Sequence, residues 1–198
     1  MAYKSDREFT DYIHNTLALK IIYAKMGWAV QNLNERLGQS IDLNHAVDYV
    51  AVKSNKIITI QERFREKKYV NNSDFTIRYQ RPENPNSDRI LSEFFKLDAD
   101  FFIYGIINES KENYHNASKF LKYAVVNLNL LKDLIEKENV IIDPELKGYR
   151  CQSINGKMHC PIINNKDHSS TFVPIDLIIL HDIAPEVIVL QEGFILNQ

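Results

Sequence analysis

Residues 47–65 read VDYVAVKSNKIITIQERFR. Two runs rich in β-branched residues flank Ser54 and Asn55, and this pattern predicts two adjacent strands joined by a short polar turn. Asp48 stands near the start of the first strand, and Gln61, Glu62 and Arg63 stand near the end of the second. A hairpin brings those polar ends to one edge. Side chains alternate along a strand, so Ile57, Thr59, Gln61 and Arg63 share one face. Ile58, Ile60, Glu62 and Phe64 share the other, which is apolar except for Glu62. Gln61 and Arg63 are therefore the expected partners of Asp48. Glu62 is directed toward a core, an awkward place for a carboxylate unless the strand ends or bulges there.

Upstream, Ser5 to Met26 predicts a helix. Ser5 followed by Glu8 has the spacing of a capping box, with Ser5 as N-cap. Phe9, Ile13, Leu17 and Ile21 recur every four residues as a buried stripe, Gly27 ends the helix and Trp28 covers its end. Val30 to Leu37 reads as a short polar helix and Gly38 to Ala46 as a loop. Downstream, Asp74 to Gln80 alternates as a strand, with Phe75, Ile77 and Tyr79 on one face. Ser87 to Phe95 reads as a helix after a proline-containing loop. Asp100 to Ile107 is nearly all apolar, so it predicts a strand buried on both faces. Phe120 to Leu128 is a further strand and Asn129 to Asn139 a helix. Gly148 to Asn164 reads as a hairpin turning at Asn155-Gly156. Phe172 to Leu180 reads as a strand whose proline, Pro174, marks an edge or bulge. Ile183 to Leu190 suits either a short helix or a strand.

This order predicts one α/β domain over residues 1–198, a mixed β-sheet flanked by helices. Its core spans about residues 5–140, and a β-rich extension with the hairpin occupies about 148–198. The hydrophobic share of 44 % and charged share of 25 % are those of an ordinary globular protein. No apolar run has the length of a membrane span. The first residues, MAYKSDREF, have no apolar signal core, so a cytoplasmic location is expected. The net charge of −2 is unevenly placed: Lys53 to Lys96 carries ten basic and six acidic residues, a net +4 against −6 elsewhere. A basic surface on an acidic chain suits an anionic ligand.

Asp48, the hairpin, and the pair Gln61-x-Arg63 together resemble the core of the PD-(D/E)XK nuclease superfamily, in its Holliday-junction-resolvase and Mrr-type restriction branches. There an acid precedes a hairpin that ends in acid-x-Lys, or Gln-x-Lys in the Mrr-type branch. The resemblance covers roughly residues 5–65. It implies a restriction-endonuclease-like fold and a Mg²⁺-dependent endonuclease acting on DNA, with Mn²⁺ as an alternative metal. The metal ligands would be Asp48, Glu8 on the first helix, and Gln61 through its amide oxygen. Asp48, Gln61 and Arg63 would form the catalytic group, with Arg63 stabilising phosphate charge. Arginine is too weak an acid to serve as the general base in place of the missing lysine. The alternative is a pseudonuclease, a binding module or inhibitor that keeps the scaffold and the basic face. Arg65, Lys67, Lys68, Arg78 and Arg81 are the candidate phosphate contacts. Lys96 is a substitute for the motif lysine and His45 a candidate proton carrier. Two DNA strands need two sites, so the resemblance also implies a homodimer.

If Asn155 and Gly156 are the turn residues, Cys151 faces Cys160, within the separation a disulfide spans. In a reducing cytoplasm the pair stays as thiols. Zinc is not expected, because there is no Cys-x-x-Cys pair and the adjacent His159 and Cys160 point to opposite faces.

Overall fold

The computed structural model describes residues 2–31, 47–81, 94, 98–166 and 168–194. The predicted helix at 87–95 (apart from Phe94), the loop at 38–46, Lys96 and His45 lie outside the described residues. The central hairpin is formed by β2 (Tyr49–Lys53) and β3 (Lys56–Arg65), with Lys53 paired to Lys56. Ser54 and Asn55 are left as a two-residue turn at φ 49° and 64°. That left-handed conformation matches the twist of the flanking strands.

Five more strands complete the chain's middle: β1 (Ala29–Val30), β4 (Asp74–Gln80), β5 (Phe101–Ile107), β6 (Phe120–Asn127) and β7 (Val140–Asp143). After them come β8 (Gln152–Ile154), β9 (Lys157–Pro161), β10 (Ile163–Asn164), β11 (Thr171–Asp176) and β12 (Ile188–Glu192). Among the described residues the main sheet has the order β1-β2-β3-β5-β6-β12. Its β3–β5 pair is parallel and its other pairs are antiparallel, so the sheet is mixed, as predicted. Two smaller sheets, β10-β11-β4 and β7-β9-β8, lie beside it.

The main sheet is covered on both faces. The N-terminal helix comprises α1 (Ala2–Ile13), a π-helical segment (His14–Tyr23) and a last turn Ala24–Met26. It packs Phe9, Ile13, Leu17, Ile22 and Tyr23 on Ile58, Ile60 and Phe64 of β3 and on Ile103 and Ile107 of β5. Each fully buried side chain of this kind stabilises the fold by about 1.5–3 kcal/mol. On the opposite face, Phe102, Tyr104 and Ile106 of β5 join Phe75 and Ile77 of β4 and Val173 and Ile175 of β11. The same core takes in α2 (Leu128–Glu136) and α3 (Leu177–Ile183). β5 is thus buried on both sides, as its unbroken apolar run predicts.

Four local expectations are corrected. The helix begins at Ala2, so Ser5 lies within it and is not its N-cap. The buried residues of its last turns are Ile22 and Tyr23, with Ile21 only half-buried, because the π repeat is wider than four residues. Ala29 and Val30 form a strand on β2, so no helix starts at Val30. Phe172 to Leu180 is not one strand: β11 stops at Asp176, whose Oδ1 accepts the N–H groups of Ile178 and Ile179 at 2.8 and 3.0 Å and so starts α3. Pro174 pairs with Thr76 and lies beyond the two residues of β11 that β10 reaches, which accommodates its missing N–H. The C-terminal strands are tied into the remainder: β11 pairs with β4, and β12 with β6. Among the described residues no helix is long and apolar enough to cross a membrane.

Candidate functional site on strand β3

β3 outruns its hairpin partner. β2 begins at Tyr49, opposite Ile60, so among the described residues β5 is the strand that continues beside Gln61 to Arg65. Backbone groups of residues 60 and 62 point to the same side of a strand, here toward β2. Past the end of β2 the Glu62 N–H has no strand to meet. Asp48 supplies the missing acceptor: its N–H donates to the Ile60 carbonyl at 2.9 Å, and its Oδ2 accepts from the Glu62 N–H at 2.8 Å. A buried N–H left unpaired is costly, so this contact accounts for an acid at position 48 without any ligand.

The overhang carries two faces of different chemistry. Toward the helix, the Glu62 side chain is 0 % exposed and that of His14 4 %. His14 Nδ1 lies 3.1 and 3.0 Å from the two Glu62 carboxylate oxygens, and the Tyr23 hydroxyl donates to Oε1 at 2.8 Å. Tyr49 stacks on the His14 ring, 3.7 Å between centroids and nearly parallel. Burial, and secondarily the Glu62 charge, pushes the Tyr23 and Tyr49 hydroxyls far above the ordinary phenol range, so both stay protonated. The π segment makes the cluster geometrically attainable. In an α-helix of about 3.6 residues per turn, residues nine apart fall on opposite faces. An i→i+5 repeat turns over in a little more than four residues, so nine residues approach two full turns and His14 and Tyr23 share a face. Both then reach the one carboxylate that the strand's alternation directs at them.

On the other face, Gln61 is 6 % exposed, and among the described residues its buried Oε1 has no hydrogen-bond partner. Arg63 Nη1 donates to the Thr76 carbonyl at 2.5 Å and to Thr76 Oγ1 at 3.2 Å, and Arg65 Nη2 donates to the same Oγ1 at 3.1 Å. Thr76 is on β4, and Arg78, two residues on, shares its face. Arg65 also lies over the Tyr69 ring, 5.4 Å from its centroid. Burial first, and the Arg63 charge second, hold the Arg65 guanidinium below its ordinary range, while Tyr104, Tyr69 and Asp74 act in the opposite sense. An arginine so shifted remains charged at neutral pH.

The remaining candidates scatter. Glu8 is exposed on α1. Lys67 and Lys68 are exposed in the 3₁₀ turn Lys67–Tyr69 that follows β3, with Lys68 paired to Glu66. Arg81 is half-buried just past β4. His159 Nδ1 meets Asp143 Oδ2 at 2.9 Å. A hard Mg²⁺ needs several oxygen donors around one point. Glu62 is turned to the helix and held by His14 and Tyr23, and Asp48 is engaged with a backbone N–H. Among the described residues no three His, Cys, Asp or Glu side chains stand together as a metal group. The donors present do not fit a metal cage.

His14 and Tyr23 are the residues that strand reasoning missed. The signal was Glu62 itself, since a carboxylate on an apolar face requires buried donors across from it. No protein-family model, curated protein or solved structure matches the chain.

Proposed function

We propose that the chain is a nuclease-like scaffold that binds nucleic acid through the Arg63–Arg65 face of β3 and does not turn it over. The observation that supports this reading is the convergence of two guanidiniums on the single hydroxyl of Thr76. Like charges held this close repel, the more so because the Arg65 guanidinium is desolvated by burial. A phosphate at that seam relieves the repulsion and accepts the planar, forked donors that arginine offers. Arg78 on the same face of β4, and Lys67 and Lys68 on the turn beyond β3, extend the positive track along a phosphate backbone. The net +4 of residues 53–96 points the same way.

Fluorescence anisotropy with labelled single-stranded and duplex DNA tests this at several salt concentrations. The expected result is binding that weakens steeply with salt, with a log–log slope that flattens by about 1 for each of Arg63→Ala and Arg65→Ala. Binding that is indifferent to both substitutions sinks the proposal.

Hydrolysis is the second reading, favoured by Gln61. Among the described residues no donor meets its buried Oε1, which lies one residue from the backbone N–H that Asp48 accepts, and a water would satisfy it. Plasmid nicking with Mg²⁺ or Mn²⁺ that disappears in Asp48→Ala would establish that reading in place of the first.

A further inference from the structure

We infer that Cys151 and Cys160 form a peroxide-addressed dithiol, in which Cys151 takes oxygen from hydrogen peroxide and Cys160 resolves it to a cross-strand disulfide. The hairpin β8–β9 sets the register. Gln152 pairs with His159 and Ser153 with Met158 around the turn at Asn155 and Gly156, which places Cys151 opposite Cys160. Facing residues of an antiparallel pair have Cα atoms roughly 4.5–5.5 Å apart, within the range that a disulfide spans. Both cysteines are free thiols, their sulfurs already stand 3.5 Å apart, and the Cys151 thiol also donates to the Pro174 carbonyl at 3.2 Å.

The two residues differ in exposure, and exposure assigns their roles. Cys160, on β9, is fully buried in the core that also takes in α3 and β11. Cys151 is 8 % exposed and lines a cavity of about 30 Å³ with Asn71, Asn72, Ser73, Asp74, Arg150 and Asp176. A water needs roughly 10–15 Å³ of such space, so the cavity matches a molecule of two oxygen atoms and is small for an aromatic reagent. Its walls offer peroxide both donors and acceptors. Arg150 offers positive charge to a departing hydroxide. The Cys151–Cys160 contact, burial and the Asp176 charge keep Cys160 protonated until it acts.

The chemistry balances. The Cys151 sulfur attacks one peroxide oxygen, an S–O bond forms, the O–O bond breaks, and the leaving hydroxide takes the Cys151 proton as water. The Cys160 sulfur then attacks the Cys151 sulfur, the S–S bond forms, the S–O bond breaks, and the second hydroxide leaves with the Cys160 proton. Two thiols lose two electrons, and one peroxide becomes two waters. The step does not depend on the reading of β3.

Intact-mass and peptide analysis of the full chain after hydrogen peroxide tests the inference, alongside a bulky aromatic disulfide reagent on the native protein. Wild type is expected to lose two hydrogens, show a linked Cys151–Cys160 peptide and leave no titratable thiol on unfolding, while the aromatic reagent leaves the native thiols intact. Cys160→Ser is expected to gain one oxygen at Cys151, trapped by a sulfenic-acid reagent, and Cys151→Ser to keep Cys160 unmodified. Wild type that retains two thiols, or that gains oxygens on both cysteines with no linked peptide, overturns the inference. So does oxidation of Cys160 in Cys151→Ser at the wild-type rate. The wild-type peptide map decides the matter even if a variant fails to fold.

Discussion

His14 and Tyr23, nine residues apart on one helix, both hydrogen-bond the buried carboxylate of Glu62. The relationship links the two halves of the helix layer to the strand that carries the candidate site. It also fixes which way the β3 overhang presents itself: with Glu62 pinned beneath the helix, Gln61, Arg63 and Arg65 must face the second layer.

Breaking this cluster from one side leaves a buried charge without its partners. Glu62→Ala and His14→Ala are each expected to lose about 3–5 kcal/mol of stability, and Tyr23→Phe about 1.5–3 kcal/mol, read from urea denaturation. Replacing the pair together, Glu62→Leu with His14→Phe, is expected to recover much of the loss, because an apolar pair has no charge to satisfy. A double variant no more stable than Glu62→Ala would show that packing and not charge compensation governs the cluster.

Glycine is required twice in and beside the main sheet, to different degrees. A Cβ on Gly105 of β5 would lie 2.6 Å from the Phe120 ring, which has a side chain's freedom to shift. On Gly193, just past β12, it would collide with the Leu121 carbonyl, a backbone atom, and φ there is 79°. Gly105→Ala is expected to cost about 1–3 kcal/mol, the usual cost of overpacking. Gly193→Ala is expected to cost more and to loosen β12 from β6. Thermal melts rank the two, and hydrogen exchange of the β12 amides locates the second effect.

Asp74 gives a stability signature in pH. Burial first, and the Asp176 charge opposing it, raise its carboxyl above the ordinary value of 3.8. The folded state therefore holds a proton that the unfolded state has released. That contribution is fully present below about pH 4 and is lost as pH rises through the folded-state value. Asp74→Asn is expected to remove this decline, so the variant gains on wild type as pH rises from 4 toward neutrality, as read from melting temperature across that range. Parallel pH profiles for the two proteins would exclude Asp74 as the source.

The sequence by itself determined the hairpin and the sheet's centre. Local chemistry suffices there: Ser54-Asn55 and Asn155-Gly156 tolerate left-handed turns, alternation assigns the faces of β3, and an unbroken apolar run marks β5 as doubly covered. The Cys151–Cys160 register followed from one turn. Tertiary structure alone decided the π repeat, because wide turns leave no periodic trace that a few residues can show. It decided the end of β11, since an apolar run after Asp176 suits strand and helix alike until a cap is formed. It decided the partners of the overhang as well. Asp48 answers an N–H that exists only because β2 stops short, and Arg63 and Arg65 answer an oxygen of β4. Those contacts join residues 14, 11 and 13 positions apart in sequence, and only the folded backbone brings them within reach.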